Sequence, residues 1–144
     1  MSDPKGGRIL GLDFGSHRIG AAVSDPLGIT AQPLAAIPRR GDRRDIEAIG
    51  ALAREVDAGS VLIGLPLHLS GEEGVQAKKV RLFAEKVRKH LEIPVETWDE
   101  RMTTVQAERH LIASGVRREK RKEIRDSLAA VFLLQSALDL RNRK

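Results

Sequence analysis

The chain of 144 residues contains no cysteine and no tyrosine, and aromatic residues make up only 3% of it. The absence of cysteine excludes disulfide bonds, thiolate metal sites and cysteine nucleophiles. The scarcity of aromatic side chains argues against nucleic-acid binding by base stacking, as in RRM and OB domains. No apolar run approaches the roughly 20 residues that a membrane-spanning helix requires, so we expect no membrane partner.

The N-terminus lacks the apolar stretch of a signal peptide. Residues 1–7 are largely polar and end in two glycines, so we expect them to be disordered and the protein to be cytoplasmic. Hydrophobic residues make up 41% of the chain, which is enough for a folded core. A chain of this length is typical of one domain, and we assign residues 1–144 to a single domain.

The first half of the chain predicts an antiparallel meander. Two apolar runs, residues 9–14 and 19–23, flank a short turn, which is the pattern of a β-hairpin. Apolar and polar residues do not alternate in the first run, so we expect it to be a central strand covered on both faces. Residues 29–37 predict a third strand, which Pro33 restricts to an edge or a bulge.

Helices and strands alternate in the remainder. We expect a helix with Asp42 as its N-cap and Gly59 at its end, and a following strand that Gly64 stops. The predicted strands are 61–63 and 95–98, and the other predicted helices are 75–90, 104–115 and a last one near residue 126. A meander followed by βα units predicts an α/β fold with a mixed five-stranded sheet, antiparallel and then parallel, and helices on both faces.

Three acidic residues stand at the ends of these elements. Asp13 lies inside the first apolar strand, Glu100 follows the strand 95–98, and Asp126 lies near the start of the last helix. Positions at helical intervals from Asp126 are small or apolar, so its side chain should face the sheet. Because α/β enzymes place their chemistry at the carboxyl ends of strands, the three carboxylates can meet there.

Carboxylates that meet repel one another, and a divalent cation removes that repulsion. Hard oxygen ligands suit Mg²⁺ or Mn²⁺. Two such ions can hold the attacking water and the leaving oxygen of a phosphodiester. We therefore predict that Asp13, Glu100 and Asp126 are both metal ligands and catalytic residues of a hydrolase.

Each acid also has a purely structural explanation. Asp13 could simply end its strand, and Asp126 could be a helix N-terminal acid that the macrodipole favours. Asp99 and Glu100 could both be solvated, with Glu100 paired to Arg101. It is also open whether Asp99 replaces or assists Glu100.

Four stretches together resemble the YqgF/RuvX family. They are Gly-Leu-Asp-Phe-Gly-Ser-His-Arg-Ile-Gly-Ala-Ala-Val-Ser-Asp (11–25), Gly-Leu-Pro-Leu-His-Leu-Ser-Gly-Glu-Glu-Gly (64–74), Trp-Asp-Glu-Arg-Met-Thr-Thr (98–104) and Asp-Ser-Leu-Ala-Ala (126–130). The resemblance runs in order from about residue 7 to residue 140. Asp-Glu-Arg-x-Thr-Thr and the hairpin are specific together, although either alone is weak.

This resemblance implies a ribonuclease H-like fold, as in the Holliday junction resolvases. It implies a nuclease that matures the 5′ end of pre-16S ribosomal RNA or resolves DNA junctions, and Asp13, Glu100 and Asp126 match the family's acidic triad. Two positions depart from the family pattern. His17 stands where lysine is frequent, and Ser70 stands where aspartate is frequent, which puts substrate contacts of the second stretch in doubt.

Positive charge exceeds negative charge, with a net charge of +5 at pH 7. The excess is concentrated in residues 117–125 and in the predicted helix 75–90, whose charges could also form a solvated face. Such clusters attract phosphate backbones without reading sequence, so we expect a duplex, a junction or structured RNA as partner. The residues predicted to bind it are Arg18, Arg101, Arg117, Arg118, Lys120, Arg121, Lys122 and Arg125.

Two rival functions remain open. An actin-like ATPase or sugar kinase could use the first hairpin for a nucleotide phosphate, but that fold needs two related domains. A catalytically silent nucleic-acid-binding module would use the basic surface alone, and its acids should not converge. The choice between precursor rRNA and branched DNA is open, as is that between monomer and homodimer, although a junction resolvase should be a twofold dimer.

Overall fold

The computed structural model of the protein describes residues 7–102 and 127–143. Several sequence predictions therefore lie outside the described residues. They are the disorder of residues 1–6, the helix 104–115, the basic segment 117–125 and the position of Asp126.

Five strands form one mixed sheet in the order β3-β2-β1-β4-β5. β1 pairs with β2, and β2 with β3, in antiparallel fashion, whereas β1 pairs with β4, and β4 with β5, in parallel. The predicted antiparallel meander followed by parallel strands is thus confirmed. The strands are β1 Arg8–Phe14, β2 Arg18–Ser24, β3 Ala31–Pro38, β4 Ala58–Leu65 and β5 Val95–Asp99.

Helices cover both faces of the sheet. α1 (Asp42–Glu55) and α2 (Val75–His90) pack on one face, and α3 (Leu128–Arg141) packs on the other. No helix in the described ranges is long and apolar enough to cross a membrane.

The central strand β1 contributes to two cores. Leu10 and Leu12 are fully buried with α1 and α2, whereas Ile9 is buried with α3. Gly11 also faces α3, where a β-carbon would lie 3.0 Å from Leu134 Cβ. Successive side chains of a strand point to opposite faces, so a strand buried on both faces needs apolar or small residues at every position. This confirms the prediction from the unbroken apolar run.

Pro33 lies in β3 opposite Ala22 of β2, and β3 forms an edge of the sheet. An edge strand has one side without ladder partners, so the missing proline N–H is tolerated there. The pairing of β2 with β3 also shifts register between Ile19 and Ala21. The predicted edge position is therefore confirmed.

Three predicted element boundaries are wrong. Gly41, with φ 111°, is the N-cap of α1, and Asp42 is already helical. α1 ends at Glu55, and Gly59 lies inside β4 rather than ending the helix. Gly64 also lies inside β4. β4 pairs on both sides, with β1 and β5, and this pairing overrides the weak strand propensity of glycine.

A buried carboxylate ties α1 to the hairpin. The side chain of Asp45 is 1% exposed, and its Oδ2 accepts a hydrogen bond from Arg39 Nε at 2.9 Å. Asp45 Oδ1 accepts another from the Arg40 backbone N–H at 2.9 Å. Arg39 Nη1 donates to the Gly15 carbonyl at 3.2 Å, so one arginine joins the β1–β2 turn to the start of α1.

We expect Asp45→Ala to lower the free energy of unfolding by about 2 kcal/mol, because it leaves Arg39 Nε and the Arg40 N–H without their charged acceptor. Urea unfolding followed by circular dichroism measures this decrease. Glu47→Ala is the matched control on the same helix. Its pair with Arg43 is 3.5 Å long between side chains 92% and 58% exposed, so its removal should cost less than about 0.5 kcal/mol. Equal decreases in the two variants would contradict the assignment.

Candidate active site

Asp13 lies at the carboxyl end of β1, where it pairs with Gly20 of β2 and is half-buried. Its neighbours Leu12 and Phe14 pack toward α1 and α2. Because side chains alternate along a strand, the carboxylate of Asp13 lies on the α3 face.

Glu100 lies at the same end of the sheet, in the 3₁₀ turn Glu100–Met102 that follows β5. Its carboxyl group forms a side-chain hydrogen bond with Asp13. β4 lies between β1 and β5, so Glu100 must reach across one strand to make this contact. The structure thus brings together two of the three predicted acids.

Gly64 of β4 provides the space for this contact. A β-carbon at this position would lie 2.6 Å from Glu100 Oε1 and 2.9 Å from Leu133 Cδ2 of α3. Both distances are shorter than atoms in a packed interior allow. The glycine that the sequence suggested as a strand terminator therefore lets the glutamate side chain pass over β4.

The electrostatic environment of Glu100 favours its protonated form. The pKa of Glu100 is raised from 4.5 to about 7, mainly by burial, and also by the hydrogen bond with Asp13 and the negative charges of Asp13 and Asp99. Near neutral pH, Glu100 is therefore partly protonated. A bound cation would offset the negative charges around it and favour its charged form.

Asp99 has a different role from Glu100. Its Oδ2 lies 2.6 Å from Arg101 Nη2, and Arg101 Nε lies 3.0 Å from both carboxylate oxygens. The hydrogen bond from Arg101 lowers the pKa of Asp99. Arg101 therefore pairs with Asp99, and the alternative pairing with Glu100 is wrong.

Arg101 also holds the loop between β4 and α2. Its Nη1 donates to the Leu69 carbonyl at 3.2 Å, and a β-carbon on Gly71 would lie 3.2 Å from the same nitrogen. The guanidinium group thus links the end of β5 to this loop. Arg101, which the sequence analysis predicts to bind nucleic acid, therefore also stabilises the position of this loop.

Ser127 anchors the start of α3 to the sheet. It is fully buried, and its Oγ accepts from the Ala21 backbone N–H at 3.1 Å and donates to the Leu34 carbonyl at 2.7 Å. Asp126, the preceding residue in the sequence, lies outside the described residues. Within 7–102 and 127–143, no group of three or more acidic or histidine residues is arranged to hold a metal ion.

The predicted nucleic-acid contacts are described only in part. Arg18 is exposed at the start of β2, and the predicted contacts in 117–125 lie outside the described residues. Three basic side chains on α2 form ion pairs with other described residues, which favours a solvated face for them. These are Arg81 with Glu73, Lys86 with Asp42 and Arg88 with Glu85.

Sequence reasoning missed the structural roles of two residues near the site, Gly64 and Ser127. Gly64 lies in an apolar strand, where an isolated glycine can mark close approach of another group. Ser127 follows the predicted acid Asp126, and its local sequence does not indicate a bond to β2 and β3. Both roles depend on contacts between distant parts of the chain.

Glu100 should make the stability of the metal-free protein depend on pH. Its folded pKa of about 7 exceeds the ordinary 4.5, so the folded state holds this proton more tightly than the unfolded state. That stabilisation is complete below the unfolded pKa and disappears as pH rises through the folded pKa. We expect the melting temperature in chelator to fall between about pH 5 and pH 8, and to fall less in Glu100→Gln.

Thermal unfolding across this pH range measures the effect. Glu92→Gln, which changes an exposed glutamate before β5, is the control and should follow the wild-type curve. Identical pH dependence in Glu100→Gln and wild type would contradict the pKa assignment.

Comparisons with known proteins identify the family. Residues 7–140 match the model of the RuvX family, which is described as Holliday junction resolvase. A protein of Clostridioides difficile (strain 630) named "Putative pre-16S rRNA nuclease" is 47% identical over 94% of this chain and 96% of its own length. A protein of the same name from Syntrophus aciditrophicus (strain SB) is 48% identical over 92% of this chain and 88% of its own length.

Solved structures share the fold at low sequence identity. T. thermophilus RuvC in complex with a Holliday junction substrate matches with a TM-score of 0.60 and 14% identity, over 93% of this chain and 94% of that one. The Fowlpox virus resolvase in complex with Holliday junction DNA matches with a TM-score of 0.59 and 13% identity, over 94% and 99%. The predicted ribonuclease H-like fold is confirmed by these likenesses, and the match over residues 7–140 shows that the chain belongs to the RuvX family.

Proposed function

We propose that this protein is a metal-dependent endonuclease that hydrolyses phosphodiester bonds in structured nucleic acid, with the 5′ end of pre-16S rRNA as its substrate. The observation that carries the proposal is the contact between Asp13 of β1 and Glu100 of the turn after β5, at the carboxyl end of β1 and β5. If the two acids were only solvated, or only ended their strands, they would have no reason to lie in contact with each other. The catalytically silent binding module is disfavoured for the same reason.

The donor chemistry of the site fits Mg²⁺ or Mn²⁺. Asp13 and Glu100 offer hard oxygen ligands that repel each other when both are charged, and we propose Asp126 as the third ligand. A pair of such ions, when bound, supplies an activated water and stabilises the leaving oxygen. Glu100 must release its proton to serve as a ligand, so the affinity for the cation should rise with pH through about 7, the pKa of Glu100.

The basic residues supply the attraction for the substrate. A net charge of +5 favours association with polyanions, and contacts to phosphate position a nucleic acid without reading its bases. We assign this role to Arg18, to Arg101 and to the basic segment 117–125. The cytoplasm is the proposed setting, where precursor rRNA would be accessible.

The names of the relatives and the description of the family favour different substrates. Curated relatives carry the name of a pre-16S rRNA nuclease, whereas the family model is described as Holliday junction resolvase. A resolvase is therefore the second candidate. It should act as a twofold dimer, because it must cut two strands symmetrically.

Cleavage of matched substrates by the purified protein tests the proposal and separates the two candidates. The substrates are a precursor 16S rRNA fragment and a four-way DNA junction, each with Mg²⁺, with Mn²⁺ and with chelator. Cleavage of the RNA at its 5′ end, only with metal, is the expected result. Symmetric junction cleavage would favour the resolvase, and no cleavage of either substrate would overturn the nuclease assignment.

Asp13→Asn and Glu100→Gln should each abolish cleavage while leaving the fold and nucleic-acid binding intact, because they keep side-chain shape but remove the charge that a cation needs. Adding Mn²⁺ should raise the melting temperature of wild type more than that of either variant, since only binding to the folded state stabilises it. Glu92→Gln should behave as wild type in both assays. Wild-type cleavage rates in Asp13→Asn would exclude Asp13 as a ligand.

Replacing Arg117, Arg118, Arg121 and Lys122 with alanine should weaken nucleic-acid binding to a similar extent across sequences. The slope of log K against log salt concentration should become shallower by roughly 0.7 to 0.9 for each phosphate that the variant no longer neutralises. Fluorescence anisotropy at several salt concentrations measures the slope. If the slope stays at its wild-type value, these residues only solvate the surface.

A further inference from the structure

A concave site lies at the same end of β1 as the acidic pair, on the opposite face of the sheet. It is a cavity of about 490 Å³ between the β1–β2 turn, the start of α1, and residues 76–86 of α2. That volume lies within the range of small-molecule sites. Phe14, which lines it, follows Asp13 in β1, so the cavity and the acids face opposite sides of one strand end.

The inner wall of the cavity is formed by packed side chains. The rings of Phe14 and Phe83 pack edge to face with centroids 4.4 Å apart. The guanidinium carbon of Arg39 lies 5.5 Å and 5.7 Å from the two centroids, and Arg39 is held in place by the buried Asp45. An aromatic and apolar wall fixed in this way suits a ligand with a planar or apolar part.

The charged residues of the cavity leave one lysine available. Lys86 pairs with Asp42 at 2.8 Å, and Arg39 pairs with Asp45. Lys79 also lines the cavity and, in the described part of the chain, forms no ion pair. Its ammonium group is the cation that we expect to meet an anion at this site.

Two uncharged polar side chains and an exposed leucine also line the cavity. Ser16 and Gln76 line the cavity, and among residues 7–102 and 127–143 neither side chain forms a hydrogen bond. Leu82, which also lines it, is 60% exposed. A cation, free hydrogen-bonding groups and an exposed apolar surface therefore occur together.

We propose that this cavity binds a nucleoside phosphate, with the phosphate at Lys79 and the nucleoside against Leu82 and the phenylalanine wall. This nucleoside phosphate has two alternative sources: a free mononucleotide, or one nucleotide of a bound nucleic-acid strand. The second source rests on the proposed nuclease function. In that case, a nucleic-acid strand that passes over the end of β1 contacts this cavity on one face of the sheet and Asp13 on the other.

Isothermal titration with uridine 5′-monophosphate, and with uridine as the probe lacking phosphate, tests the site directly. Wild type should bind the monophosphate more tightly than uridine. Lys79→Glu should weaken binding of the monophosphate about tenfold or more, since it removes a hydrogen bond to a charged group. Lys78→Glu is the matched control, because it makes the same charge change at an exposed neighbour on α2 that does not line the cavity. It should alter the affinity by no more than about twofold.

Binding of a structured RNA, measured by fluorescence anisotropy on the same variants, separates the two sources. If a strand occupies the cavity, Lys79→Glu weakens RNA binding more than Lys78→Glu, and the monophosphate competes with the RNA. If a free mononucleotide occupies it, the two variants bind RNA equally. Either outcome requires weaker monophosphate binding in Lys79→Glu than in wild type.

Equal effects of Lys79→Glu and Lys78→Glu on monophosphate binding would overturn the proposal, as would binding of uridine as tight as that of its monophosphate. Circular dichroism of both variants verifies the fold. These titrations need no cleavage, so their result stands apart from the nuclease assay. A protein that cleaves nothing can still bind the monophosphate, and an active nuclease can fail to bind it.

Discussion

The contact of two carboxylates across a strand is the constraint on which the candidate active site depends. Asp13 and Glu100 belong to β1 and to the turn after β5, and the contact between them passes over Gly64 of β4. Burial and mutual repulsion raise the pKa of Glu100 to about 7. Such an arrangement is unfavourable for a stable fold alone, and it is expected where a protein binds a cation or handles a proton.

The packing around the pair supports it from both faces of the sheet. On one face, α3 approaches β1 and β4 closely at Gly11 and Gly64, and Ser127 bonds the start of the helix to β2 and β3. On the other face, Arg39 and Asp45 hold the hairpin turn against α1. The end of the sheet that carries the acids is thus held in place by elements that take no direct part in the proposed chemistry. A preorganised site requires such support.

Asp99 and Glu100 are adjacent in the sequence, but they have separate roles because their partners differ. Asp99 is paired with Arg101, and this pair links β5 to the loop before α2. Glu100, one residue later, contacts Asp13 instead. The pKa of Glu100 is raised by burial and by the neighbouring Asp13, whereas the pKa of Asp99 is lowered by the hydrogen bond from Arg101. The local sequence Asp-Glu-Arg does not by itself distinguish the two acids.

The sequence alone determined the order of the described strands and helices, and the acids to consider. The unbroken apolar run of β1, the hairpin and the edge position of Pro33 follow from local periodicity and proline chemistry, which depend on few neighbours. Only the tertiary structure decided that Glu100 rather than Asp99 meets Asp13, that Gly41 rather than Asp42 caps α1, and that β4 continues through its glycines. These outcomes depend on pairing and close approach between segments far apart in the chain, and no local pattern encodes such distances.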